Sequence, residues 1–206
     1  MEQIIYVVDD DDAVRRAVVR LLQSEGHEVA DFNSAQAFLS HDFCEKPGCL
    51  VLDMNMPAAD GFDVMDGLSR LGRALPVIFL TGFGTIPLTV KAMKTGALEF
   101  LTKPVNPVQL LQAVAEGLRQ AQQNFSHLRE QHALTQRHQS LTPREREVLE
   151  LAIGGLLNKQ IATALGVSEI TAKVHKRRVM EKMQARSLAD LVRSAERLNI
   201  VKSRSR

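Results

Sequence analysis

Asp53 closes the apolar run Cys49-Leu50-Val51-Leu52, and Asp9 and Asp10 close another, Ile4-Ile5-Tyr6-Val7-Val8. Two further runs also end in reactive groups. Pro76-Val77-Ile78-Phe79-Leu80 leads into Thr81-Gly82, and Leu98-Glu99-Phe100-Leu101 into Thr102-Lys103-Pro104. Short apolar runs are the pattern of parallel strands buried on both faces, and ligands of open α/β sheets bind beyond the carboxyl ends of such strands. One sheet edge would therefore gather three carboxylates, a hydroxyl and an ammonium. Carboxylates crowded together repel, and the usual relief is a raised pKa or a bound divalent cation. Mg2+ suits hard oxygen ligands and bridges to phosphate. An Asp carboxylate can be a nucleophile that forms an acyl phosphate, with its charge neutralised by a metal and an ammonium. Taken singly, each group has a plainer use. Lys103 alone reads as a surface lysine, Thr81-Gly82 as a turn, and Asp9–Asp12 as a helix start favoured by the helix dipole. Their coincidence at four strand ends is what favours a site.

The elements that must position these groups alternate between strand and helix. Positions 13–25 carry apolar residues at helical spacing and stop at Gly26. Val29–Phe32 reads as a strand, and Ser34 caps a helix over Ala35–Phe43. Helices are predicted from Phe62 to Leu71 and from Pro87 to Lys94, and Asn106-Pro107 starts another that runs through Leu118. Five βα units imply a five-stranded parallel sheet, doubly wound, with helices on both faces. From Gln120 to Gln139, Gln and His dominate and large apolar residues are sparse, which suggests a helical linker. Beyond it, Thr142-Pro143-Arg144-Glu145 forms a capping box, Gly154-Gly155 ends that helix, and Asn158–Leu165 is a second helix ended by Gly166. Ser168 caps a third helix from Glu169 to about Met183, and Ser187–Leu198 makes a fourth. A short helix, a glycine turn and a longer basic helix read as helix-turn-helix. The expected organisation is an α/β domain at 1–120, a linker at 121–139 and an all-α four-helix domain at 140–206.

Charge divides along the same line. Residues 1–120 have a net charge of −6 and residues 121–206 a net of +8, together the formal +2 of the chain. An acidic front joined to a basic back fits a metal or phosphate site in one half and a polyanion partner in the other. Cys44 and Cys49 have no second pair with which to form a zinc site. No apolar stretch approaches the ~18 residues of a membrane span, so a cytoplasmic protein with no membrane partner is expected.

Within Glu169–Met183, Ala172, Val179 and Met183 share one stripe suited to packing. Lys173 and Arg177 lie on another face with Val174 between them, flanked by Lys176 and Arg178. A lone Val among cations suits a DNA major groove, where Lys or Arg reads guanine and an apolar group touches the thymine methyl. The alternative is a simply solvated basic helix.

The set Val7-Val8-Asp9-Asp10, Leu52-Asp53-Met54-Asn55-Met56-Pro57, Asp60-Gly61, Thr81-Gly82 and Phe100-Leu101-Thr102-Lys103-Pro104 resembles the receiver domain of two-component response regulators over about residues 1–120. The resemblance implies that Asp53 is the phospho-acceptor. It implies Asp10 and Asp53 as direct Mg2+ ligands, Asp9 acting through water, and the Asn55 carbonyl completing the protein's share. Lys103 would grip the phosphoryl oxygens, Thr81 would hydrogen-bond the phosphoryl group, Phe100 would turn inward behind it, and the Lys103–Pro104 bond would be cis. Ala58-Ala59 departs from the commoner pattern without removing a ligand. Phe83 is bulky and apolar beside the expected path of attacking water, which predicts slow self-dephosphorylation; the alternative is that Phe83 simply packs on the loop.

The segments Leu141–Leu149, Gly155–Ala162 and Thr171–His175 are similar to the LuxR-type helix-turn-helix output domain, over about residues 138–200. That likeness implies Lys173, Val174 and Arg177 as base or groove readers and Asn158, Lys159, Lys176 and Arg178 as phosphate contacts. Both domains in this order resemble response regulators of the FixJ/NarL type. The resemblance implies a transcriptional regulator phosphorylated by a sensor histidine kinase with Mg2+. Phosphorylation would favour a homodimer through the face of the fourth helix, fifth sheet strand and fifth helix, and the pair would bind double-stranded DNA. Such a chain is a switch and not a turnover enzyme. The rival readings are a Mg2+-dependent phosphohydrolase, for which Asn55 stands where a second acid is wanted, and a DNA-binding regulator indifferent to phosphorylation.

Overall fold

The structure is a computed structural model that describes residues 2–57, 59–82 and 85–200. Two compact units divide between Ser126 and His127. In the first, strands β1 (Ile4–Val8), β2 (Glu28–Phe32) and β3 (Gly48–Asp53) alternate with helices α1 (Asp12–Ser24) and α2 (Ala35–Leu39). A two-residue hairpin, β4 (Asn55–Met56) and β5 (Ala59–Asp60), precedes α3 (Gly61–Arg70). Then come β6 (Val77–Thr81), α4 (Ile86–Lys94), β7 (Glu99–Thr102) and α5 (Pro107–Gln139), whose residues beyond Ser126 belong to the second unit.

The five-stranded sheet has the order β2-β1-β3-β6-β7 and every pairing in it is parallel. Side chains alternate across a strand, so each buried strand feeds two cores. Ile4, Tyr6, Val8, Leu50, Leu52 and Phe79 pack on one side with Phe38 and Val64. Ile5, Val7, Val51, Ile78 and Leu80 pack on the other with Leu22, Leu110 and Val114. β3 is central, its six residues all buried, and it carries Asp53 at its carboxyl end. Gly61 lets α3 come close to the sheet, because a Cβ there would lie 2.5 Å from Phe79 Cε1.

Two sequence expectations change in detail, and one element is new. The helix read as Ala35–Phe43 stops at Leu39; the chain then turns and sends His41 and Phe43 into an aromatic cluster with Tyr6, Phe32 and Phe38. The hairpin β4–β5, too short for any periodicity, had no counterpart in the reading. The helix from Asn106-Pro107 and the Gln/His-rich segment are one element, α5.

The second unit contains α6 (Pro143–Ile153), α7 (Asn158–Leu165), α8 (Glu169–Lys182) and α9 (Leu188–Arg197). Leu134, Val148, Leu149, Ile161, Ala172, Val179, Met183 and Leu191 form its core. Thr142 and Glu145 make the reciprocal capping box that starts α6. Gly166 ends α7 in the left-handed conformation at φ 63°, and Ser168 caps α8 two residues later.

Candidate functional site

The acidic site is built at the carboxyl ends of β1, β3, β6 and β7. Oxygens of Asp9, Asp10 and Asp53 lie within 4.8 Å of one another. Asp9 is 1% exposed and Asp53 5%, whereas Asp10 is open to solvent. The other two acids of the Asp9–Asp12 run are used locally. Asp11 caps α1 by accepting from the Ala13 and Val14 amides, and Asp12 pairs with Arg15 and Arg16.

Lys103 reaches the cluster from the end of β7. Its Nζ lies 3.1 Å from Asp53 Oδ2 and 2.7 Å from Asp9 Oδ2, an ion pair with each. Burial pushes the Asp53 carboxyl above the ordinary range, Asp9 adds to the rise, and Lys103 and the Asn55 amide oppose it. Burial alone would lower Lys103, but Asp9 and Asp53 outweigh it and hold the ammonium above the ordinary lysine value. The Asn55 amide donates to Asp53 Oδ1 at 3.3 Å. Thr81 is fully buried at the end of β6, and its carbonyl accepts from the Lys103 amide at 2.7 Å. Phe100 is half-buried, edge-on to Phe79 with 6.4 Å between ring centroids. The Lys103–Pro104 peptide is cis. Phe83 and Ala58 lie outside the described residues.

A donor set of carboxylate oxygens, one of them open to water, suits a hard cation such as Mg2+ that keeps several of its own waters. Arg15 was not among the residues singled out from the sequence. Its Nη1 donates to the Asp9 carbonyl at 2.8 Å in a buried bond, and its Nε donates to Asp31 Oδ2 at 3.0 Å, tying α1 and β2 to the acidic loop. The Asp12–Arg15 spacing signals a helical ion pair only; the bond to the strand end is tertiary.

At the other candidate surface, Lys173, Val174, Arg177 and Arg178 are exposed on α8 and Lys159 is exposed on α7. Lys176 and His175 are half-buried. So is Asn158, whose Oδ1 is buried without a hydrogen bond. Arg177 Nε donates to Glu181 Oε1 at 2.7 Å, so this cation already has an acidic neighbour on its own helix.

Comparison with known proteins agrees with both halves. Residues 5–115 match the response regulator receiver domain family, and residues 139–195 match the family of bacterial regulatory proteins of the luxR type. The chain is a response regulator. This response regulator is 43% identical over 197 residues to nodulation protein W of Bradyrhizobium diazoefficiens, covering 96% of this chain and 87% of that one. It is 40% identical to the transcriptional regulatory protein FixJ of the same organism, covering 96% of each. Among solved structures, the response regulator StyR aligns with a TM-score of 0.87 at 45% identity, covering 95% of this chain and 99% of that one. Full-length FixJ from B. japonicum aligns with a TM-score of 0.55 at 40% identity, covering 96% and 98%. The response regulator thus joins a receiver to a LuxR-type DNA-binding domain, and its family consists of transcriptional regulators whose mechanism is phosphorylation by a kinase.

Glu145 gives the second domain a feature that its capping role did not announce. It is 3% exposed, and its Oε2 accepts from Lys182 Nζ at 2.6 Å and from the Thr142 amide at 2.9 Å. Burial opposes ionisation, but Lys182 and Thr142 together hold the carboxyl below its ordinary range. The pair ties the last turn of α8 to the first turn of α6 and so fixes how the basic helix is presented.

Proposed function

We propose that Asp53 accepts a phosphoryl group from a sensor histidine kinase and that the modified receiver switches the output domain toward DNA. The observation that carries this reading is the convergence of Asp9, Asp10 and Asp53 on one small volume with Lys103 against two of them. Asp10 and Asp53 would hold Mg2+ directly, Asp9 through water and Asn55 through its carbonyl. When bound, the cation would neutralise charge that develops on the transferring phosphoryl group. Lys103 would move from carboxylate to phosphoryl oxygen, Thr81 would donate its hydroxyl, and Phe100 would follow inward. These contacts favour one arrangement of the α4–β7–α5 face in a population shift. Ile86, Val90 and Met93 are exposed on α4 at helical spacing, an apolar stripe suited to a second copy.

Residues 1–120 would then act as the switch, 121–139 as linker and 140–206 as DNA reader. Lys173, Val174 and Arg177 would read bases, and Asn158, Lys159, Lys176 and Arg178 would contact phosphates. Two linked output domains on a two-fold site gain effective concentration that one lacks. The chain would work in the cytoplasm and turn over no substrate. Among the described residues, no helix is long and apolar enough to cross a membrane.

The test is DNA binding and sedimentation of the wild type and Asp53→Asn, each with and without acetyl phosphate and Mg2+. The expected result is a phosphodonor-dependent gain in mass and affinity that Asp53→Asn lacks. Equal affinity of both proteins under all conditions would establish a regulator indifferent to phosphorylation.

A further inference from the structure

α8 has apolar residues on two opposite sides, and the core uses only one of them. Ala172, Val179 and Met183 are buried. At ~100° per residue, Ile170 stands roughly 180° from that stripe and Val174 roughly 40° from Ile170. Both are exposed, Ile170 at 77% and Val174 at 44%. Single exposed apolar residues are ordinary on protein surfaces. This pair is not scattered: it shares a face at i,i+4 spacing, with Ile170 in the middle of the side turned away from the core. Local helix chemistry does not account for it, since β-branched residues are mediocre helix formers and the first turn is already capped by Ser168. Thr171 is committed to that cap, its hydroxyl 2.8 Å from Ser168 Oγ.

The surroundings identify the occupant of this face. Lys173 and Arg177 lie roughly 60° and 20° to one side of Ile170 and are exposed, and Arg178 is exposed on the other side of Val174. An apolar strip between cations is complementary to the floor of a DNA major groove, where thymine C5-methyl groups lie beside hydrogen-bonding base edges and phosphates form the walls. We propose that Ile170 is a sequence-reading residue in its own right: with Val174 it forms a two-residue apolar reader that selects thymine methyls next to the bases read by Lys173 and Arg177. The proposal rests on the DNA-binding reading above and adds the base chemistry of the half-site.

The experiment selects binding sequences from a pool of random duplexes with the full chain and acetyl phosphate, for the wild type, Ile170→Ala and Val174→Ala. Each thymine of the wild-type consensus is then replaced by uracil, which removes only the C5-methyl, and binding is measured by fluorescence anisotropy. Burying one methyl corresponds to about a fourfold change in affinity. Wild type should lose about that factor at one or more thymines, and Ile170→Ala should be insensitive to the methyl at one of those positions while keeping its guanine preference. Circular dichroism checks that the variants fold, which exposed positions tolerate. If Ile170→Ala keeps the wild-type affinity and methyl dependence, the proposal is overturned while the DNA reading stands. The same holds if Ile170→Ala changes only sedimentation, which would make the occupant a second copy of the chain. If the wild type enriches no sequence, both readings fall.

Discussion

Replacing Lys182 with Met leaves the Glu145 carboxylate in place and removes its cation. Glu145 is 3% exposed, so it would keep one strong donor, the Thr142 amide at 2.9 Å, in a largely buried site. Stranding one member of a fully buried ion pair costs about 3–5 kcal/mol. The Lys182 side chain is 36% exposed, so water can partly replace the lost ammonium, and about 2 kcal/mol is a fair expectation for this pair. For a domain of this size that lowers the midpoint of its thermal transition by about 8–16 °C. Differential scanning calorimetry of the full chain would show this in one transition, and hydrogen exchange of α8 amides would assign it to the second unit.

The pH dependence tests the cause. In the wild type the Glu145 carboxyl is held below its ordinary 4.5, so its contribution is complete above that value and is lost as pH falls through the lowered pKa. In Lys182→Met, burial without a cation raises the same group, and its penalty disappears once it is protonated. The gap between the two proteins should therefore be widest near neutral pH and close on acidification. A gap that does not change with pH would refute the electrostatic argument and leave lost packing of the lysine stem as the reason.

Other substitutions probe the remaining contacts. Arg15→Ala should weaken Mg2+ binding about tenfold in a calorimetric titration, the usual effect of losing a group that orients ligands, because the Asp9 carbonyl loses its buried donor; unchanged affinity would mean the acidic loop holds its own shape. Glu181→Gln should tighten DNA binding by about two- to fivefold in fluorescence anisotropy by releasing Arg177 from its helical neighbour, an exposed pair of modest strength. Gly61→Ala should destabilise the receiver by about 1–3 kcal/mol in chemical denaturation, since the added Cβ falls 2.5 Å from Phe79 Cε1; a smaller loss would show that α3 can move away from the sheet.

The sheet was legible because each buried strand is a short apolar run that stops abruptly at a polar group, as Val8 does before Asp9 and Leu52 before Asp53. The same pattern places Asp9, Asp10, Asp53 and Lys103 on one edge of the sheet. Contacts set by the third dimension were not legible. Phe43 fits a helical period after Ala35, yet its ring packs with Tyr6 and Phe38, and the helix ends early. Glu145 carries a readable capping signal, but its partner Lys182 is 37 residues away and no local spacing marks the pair. Arg15 reads as a helix-surface cation until the fold closes Asp9 and Asp31 around it. Ile170 was invisible for a different reason: an isoleucine in a first turn passes for core until its exposure is known.

The ammonium of Lys103 between Asp9 and Asp53 also bears on what kind of message the receiver can send. With Asp9, Asp10 and Asp53 ionised, the cluster and this lysine carry a formal charge of minus two, which one divalent cation would cancel. Phosphorylation at Asp53, as proposed above, would replace its single negative charge with a group of about −1.5 to −2. The charge of the pocket would then differ between the off and on states by no more than about one unit, and beyond the protein surface that difference is screened within ~8 Å. A long-range field is therefore a poor carrier of the signal. The information has to travel as shape, through groups that touch the new oxygens and the side chains packed behind them, so its fidelity is set by the precision of contacts and should survive changes in ionic strength that weaken the grip on DNA.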